Sequence, residues 1–302
     1  MHLRLTVTAI TTVLYRPFNP PMRSSYSGNL LLVSNHPSDT AYAWWLMELF
    51  WLSIAEQFTQ NGNRAYLAYP EITRLSPAIS KAPIDTIELT IPWTNREQAT
   101  ATKRFIRENN ISFIYLTDQP FFNHQYAIFR ALGVEHIIVH DHTPGDRPPV
   151  TGLKGLLKST RNTLPWLTAD SVLCVSEHMR QRNMANARIP EKKCQVVQNG
   201  IPPLNCTQAT TPALRESIGA DQNSILVTTT GRAHPYKRFD FIINVAHELK
   251  KLAADIDVFF LLAGDGPAMP ELQQQINRLQ LQQSVHLLGY RSDITDILCA
   301  SD

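Results

Sequence analysis

Short apolar runs recur along the chain, each followed by a longer stretch of helical character. Residues 29–35 read Asn-Leu-Leu-Leu-Val-Ser-Asn, with Leu30 to Val33 uninterrupted, as a strand buried on both faces requires. Runs of the same kind return at 64–69, 86–91, 111–116, 136–140 and 171–176. Between them the pattern predicts helices over 41–55, 94–109, 122–132 (with Gly133 as its C-cap) and 152–164, and another from about Glu177. Strand alternating with helix at this spacing predicts an α/β chain built on a doubly wound parallel sheet. Ligands of such sheets collect at the carboxyl ends of the strands, so chemistry is sought in the loops after Val33, Leu116, Val139 and Val175.

Around Ile201–Asn223 the composition shifts to Pro, Thr, Gln and Ala, the mark of a linker. A second alternating unit follows: strands 225–230, 257–263 and 285–288, with helices 239–253, 270–279 and 294–300. The expected organisation is an N-terminal extension over 1–28, a Rossmann-like domain over 29–205, a linker over 206–223, and a second, incomplete Rossmann-like domain over 224–302. Within the extension, residues 3–14 are apolar. Arg4, several threonines and the lack of a small-residue cleavage site argue against a signal peptide.

Composition narrows the classes. With 43% hydrophobic and 18% charged residues the chain is globular, and a net charge of +2 gives no reason to invoke nucleic acid. The four cysteines are scattered without C-x-x-C spacing. They read as reduced thiols of a cytoplasmic protein, not as a disulfide framework or zinc site.

Two stretches raise the question of a membrane. Residues 41–55 carry three tryptophans, but the run is short for a span and holds Glu48 at its middle, which favours a core helix. Residues 152–161 place Lys154, Lys158 and Arg161 at helical spacing, with Leu153, Leu156 and Leu157 on other faces. An ordinary surface helix is favoured there over a peripheral membrane contact.

Three loops carry candidate chemistry in the second unit. Gly231-Arg232 through Lys237 leaves a strand and opens a helix, joining two cations to a helix N-terminus, a combination suited to a diphosphate. Gly264-Asp265-Gly266-Pro267 and Gly289-Tyr290-Arg291 end the next two strands, and their glycines permit close backbone approach. In the first unit, His140 and His142 end a strand, where an imidazole can donate a proton or hydrogen-bond a sugar hydroxyl. His140, Asp141 and His142 invite a metal reading, but neighbours on an extended chain point to opposite sides and nothing completes the ligand set.

These motifs, together with Cys174–Glu177, Val197–Ile201 and Ala300-Ser301-Asp302, resemble in order and spacing the glycosyltransferases of family 4. The resemblance implies the GT-B fold: two Rossmann-like lobes with a nucleotide-sugar donor in the cleft. It also implies retention of anomeric configuration, no metal or other cofactor, and a sugar, glycolipid or polysaccharide acceptor at the inner face of the membrane. By the same resemblance Arg232 and Lys237 hold the donor diphosphate, His140 positions the transferred sugar, and Asn199-Gly200 lie at the interdomain crossing. Two departures stand out. The first loop, usually glycine-rich in this family, reads Asn35-His36-Pro37-Ser38-Asp39-Thr40, so His36, Ser38 and Asp39 replace backbone contacts by side-chain ones. The family's paired sugar-binding glutamates are expected beyond Asp302, which predicts that these 302 residues alone transfer little sugar. A sugar-nucleotide epimerase of the same fold and a non-catalytic nucleotide-sugar-binding module are the rival readings.

Overall fold

The computed structural model describes residues 28–39, 44–143, 145, 148–200, 204, 206, 211–253 and 255–302. Residues 1–27 of the N-terminal extension, the start of the Trp-rich stretch and linker residues 207–210 lie outside them. The chain divides into two compact units, 1–202 and 203–302.

The first unit carries a seven-stranded parallel sheet of β1 (Asn29–Val33), β2 (Ala65–Tyr69), β3 (Asp85–Glu88), β4 (Ile111–Thr117), β5 (His136–Asp141), β6 (Ser171–Cys174) and β7 (Cys194–Val196). Its order is β3-β2-β1-β4-β5-β6-β7, so the winding reverses between β1 and β4. That junction is where such a sheet opens a crevice for ligands. Successive residues of each strand feed opposite cores. Leu31, Val33, Ile114, Leu116, Ile137 and Val139 pack with Ile106, Phe129 and Met179 on one face. These three come from α3 (Arg96–Glu108), α4 (Gln125–Ala131) and α6 (Glu177–Ala185). Leu30, Leu32, Phe113, Tyr115 and Ile138 face the other way, onto Met47, Phe50, Trp51, Ile54 and Phe58 of α1 (Trp44–Gln60). The Trp-rich stretch is therefore a core helix. Glu48, the residue that argued against a span, is buried and accepts a hydrogen bond from Ser76 Oγ at 2.7 Å. Ser76 in turn caps the short α2 (Pro77–Ser80).

The second unit has three parallel strands, β8 (Ile225–Thr230), β9 (Val258–Ala263) and β10 (Val285–Gly289), in the order β10-β9-β8. Helices α8 (Phe239–Leu252) and α9 (Met269–Arg278) cover one face, where Phe239, Ile243, Leu272 and Ile276 meet Phe260 and Leu262. The opposite face packs Ile297 of α10 (Ile294–Cys299) with Leu226 and Leu261. Ser301 and Asp302 serve β8: Ser301 Oγ pairs with Thr228 Oγ1 at 2.6 Å, and Asp302 Oδ2 accepts from Leu226 N (2.9 Å) and Arg215 (3.0 Å).

Two expectations are corrected here. Residues 206–223 are not all linker: α7 (Thr211–Ser217) forms within them, and Leu214 and Ile218 pack on the Ile297 core. Its polar composition masked an amphipathic turn whose partner lies far along the chain. Nor are all four cysteines free. Cys206 and Cys299 are disulfide-bonded across a sequence separation of 93, while Cys174 and Cys194 are buried thiols. Distance along the chain hid an adjacency made by the fold, and with one pair bonded the cysteines no longer argue for a reducing compartment.

Candidate functional site

In the second unit the three predicted loops meet. Each leaves the carboxyl end of a strand, and backbone hydrogen bonds join them. Gly231 N donates to Ala263 O (3.0 Å), Ala233 N to Asp265 O (3.0 Å), Ala268 N to Ala233 O (3.0 Å) and Gly264 N to Gly289 O (2.8 Å). Glycine is required for this seam. A Cβ on Gly264 would stand 1.7 Å from Gly231 O, and one on Gly266 would stand 2.5 Å from Ala233 O.

Arg232 and Lys237 are both exposed on the first of these loops. The Lys237 stem runs beside Gly231, and the ammonium sits 5.5 Å from the Tyr236 ring centre. The loop ends in a 3-10 turn, Pro235–Lys237, and then Arg238, in left-handed conformation (φ 57°), begins α8 with no side-chain cap. Positive charge and helix-terminal N–H groups thus share one sheet edge. Asp265 is exposed, and its carboxylate accepts from Gly266 N at 2.7 Å. Arg291 folds back on its own loop, pairing with Asp293. Tyr290 stands 72% exposed.

In the first unit the carboxyl ends of β1, β4 and β5, with the loops that follow them, bring His36, Asp118, His140 and His142 to the switch point. The His140 ring is wholly buried, with Phe50 of α1 edge-on at 4.9 Å and His142 at 4.0 Å between ring centres. Tyr115 contacts Nδ1 of His140 in a short hydrogen bond. Burial raises the Tyr115 phenol well above its ordinary value, so it keeps its proton and donates it to Nδ1, which puts the His140 proton on Nε2. Burial, helped by His142, drives His140 itself well below the usual imidazole range. His142 is lowered to about 4, again chiefly by burial, with Asp141 pulling the other way. Both rings are therefore neutral at neutral pH. His140 Nε2 and both His142 nitrogens are buried without a hydrogen-bond partner, a grouping of orphaned polar atoms that marks a site.

Asp118, which the sequence did not single out, organises this corner. It sits just past β4 in left-handed conformation (φ 53°), donates its own N–H to His140 O at 2.9 Å, and accepts the His142 N–H. Burial pushes its carboxyl up, against the His142 N–H and the nearby His36, which hold it down. The available signal was a short carboxylate at the end of the longest buried strand. Asp141 faces away from the histidines, bound to Arg182 (3.1 Å) and Asn183 (2.8 Å) of α6. Among the described residues no His, Cys, Asp and Glu side chains gather as a cation site.

The first loop does less than expected. Ser38 is buried, and its Oγ accepts from Thr73 N (3.0 Å) and Arg74 N (3.2 Å), so the hydroxyl holds a neighbouring turn in place. His36 and Asp39 are exposed. Asn199 and Gly200 follow β7, at the end of the first unit's described residues.

Residues 47–203 match the family model described as Glycosyltransferase Family 4, and residues 224–302 match that of the Glycosyl transferases group 1. The chain belongs to glycosyltransferase family 4. The GPI3 subunit of Saccharomyces cerevisiae phosphatidylinositol N-acetylglucosaminyltransferase is 27% identical over 180 residues, covering 55% of this chain and 38% of that protein. The Escherichia coli UDP-Gal:alpha-D-GlcNAc-diphosphoundecaprenol alpha-1,3-galactosyltransferase is 27% identical over 154 residues, 48% of this chain and 40% of its own. This family member thus spans about two fifths of the curated relatives it matches. A Rickettsia africae glycosyltransferase structure superposes with a TM-score of 0.69 at 18% identity, over 92% of this chain and 72% of that one. Anabaena HepE in complex with UDP-glucose superposes at 0.60 with 19% identity, over 91% and 72%. These neighbours show the fold, GT-B, with its two α/β units.

Proposed function

We propose that this family 4 member takes a sugar from a nucleoside-diphosphate sugar and passes it, with anomeric configuration retained, to a lipid-linked or envelope saccharide. The observation that carries the reading is the stitched seam of three strand-end loops beside α8, with Arg232 and Lys237 exposed on it. Their charge and the helix N-terminus match a diphosphate and stabilise it as a leaving group, which leaves no role for a metal ion. Of the neutral histidine pair at the switch point of the first unit, His142, nearer the surface, suits hydrogen bonding to a sugar hydroxyl, with His140 held behind it by Tyr115. The acceptor class follows the relatives named for phosphatidylinositol and diphosphoundecaprenol, and such acceptors call for work at a membrane surface.

The test is calorimetric titration of the full chain with UDP and GDP, alongside a coupled assay of nucleotide release. Lys237→Ala is expected to weaken binding about tenfold, as loss of one charge-assisted contact does, and EDTA is expected to change nothing. Equal affinity in the wild type and in Lys237→Ala and Arg232→Ala chains would remove the diphosphate from this seam. Binding without release in the presence of saccharide acceptors would favour a binding module over a transferase.

A further inference from the structure

At the amino ends of its strands, away from the glycine seam, the second unit holds a cavity of about 500 Å³. It lies where the carboxyl end of α8 meets the starts of β9 and β10. Leu249, Ala253, Ile256, Phe259 and Phe260 give it apolar walls, and His286 of β10 completes them. The volume falls within the range of small-molecule sites, roughly 300–1,000 Å³. The whole of β9, Val258–Ala263, separates the cavity from the seam of strand-end loops, roughly 17 Å at the usual rise per residue. A small ligand cannot occupy both.

His286 decides what the cavity takes. Its Nε2 is buried in the wall without a hydrogen-bond partner. The ring's other nitrogen gives its proton to the Gln283 backbone, and burial lowers the imidazole from its ordinary value, so the ring is neutral. Nε2 therefore carries a lone pair, a buried acceptor that stays costly until a donor meets it. Lys250 and Asp257, the charged side chains of the wall, balance each other and are engaged already. Lys250 donates to Gln280 O at 3.2 Å and Asp257 accepts from Ser224 Oγ, which favours a ligand without net charge. Phe259 stacks on the imidazole, with ring centres 5.9 Å apart and planes 21° from parallel, so the wall is aromatic beside its acceptor. We propose that this cavity binds a small, neutral, flat aromatic molecule whose ring carries an N–H or O–H, the donor going to Nε2 of His286. Apolar walls cover the faces of such a ring, and its bound form stabilises a unit built on only three strands.

The experiment titrates the full chain with indole, and with benzofuran, the isostere without the N–H, following backbone amide shifts by NMR. Indole is expected to shift the amides of Val258–Phe260 and Val285–Leu287 saturably and to leave those of Arg232 and Lys237 unmoved. Benzofuran is expected to bind about tenfold more weakly, as the loss of one hydrogen bond to a buried acceptor implies. His286→Phe keeps a flat ring but removes the acceptor, so indole should fall to the level of benzofuran; thermal unfolding checks that the variant folds. Should it not fold, the two ligands on the wild type still decide. No saturable shift up to the solubility of indole overturns the proposal. So does equal binding of indole and benzofuran, indole affinity unchanged in His286→Phe, or shifts confined to the strand-end loops.

Discussion

Gly264→Ala is expected to open the second unit and, with it, to abolish the nucleotide binding proposed there. The new methyl carbon would stand 1.7 Å from Gly231 O, and the backbone at φ 148° lies where side-chain-bearing residues rarely sit. Neither neighbour yields cheaply. Gly231 is held by its bond to Ala263 O, and Gly264 by its bond to Gly289 O. Overpacking and backbone strain together cost about 4 kcal/mol or more, enough to undo a small three-stranded sheet. Hydrogen exchange of the full chain reads this directly: amides of β8, β9 and β10 should lose protection while those of β1 and β4 keep theirs. Gly289→Ala is the control. Its φ is also positive, at 63°, but nothing lies within 4 Å of the added carbon, so about 1–2 kcal/mol is expected. If the two substitutions cost the same, steric closure of the seam is the wrong explanation for the glycines.

Acid is expected to destabilise the first unit through its histidine pair. In the unfolded chain both imidazoles take up protons as pH falls below about 6.5. In the folded chain burial refuses them: His142 is held down to about 4 and His140 well below the usual imidazole range. The unfolded state therefore binds more protons in this window, so stability is present above it and is lost as pH drops through it. His142 alone accounts for about 3 kcal/mol between neutrality and pH 4, and His140 adds to it in the same direction. Urea unfolding of the wild type and His142→Gln at several pH values isolates this part, since acidic side chains contribute to both proteins alike. The variant should show a shallower loss. Proton NMR supplies a second reading, and imidazole resonances of His140 and His142 that titrate near neutrality would contradict their burial.

How much of this was legible beforehand differs by level. Parallel strands announce themselves, because a strand covered on both faces must be apolar at successive positions, and Leu30–Val33 and Phe113–Leu116 are. The strand-end loops that meet in the second unit were legible too. Gly231, Gly264, Gly266 and Gly289 sit at strand ends beside two cations, and both strand ends and glycine requirements are local properties. Boundaries fared less well. The strand placed over 86–91 runs Asp85–Glu88, β7 was not foreseen, and helix α4 begins at Gln125, after the turn read as its start.

What the amino-acid order determined by itself is the alternation of strands and helices, the parallel sheets and the strand-end loops that meet in the second unit. Those features depend on neighbours within a turn or two of chain. The tertiary structure decided which side chains of those loops remain available: it closed Ser38 into a turn and sealed His140 behind Phe50. It also joined Cys206 to Cys299 and turned the leucines of α5 (Gly152–Arg161) outward. Each of those outcomes depends on a partner far away in sequence, and burial is a property of the partner as much as of the residue.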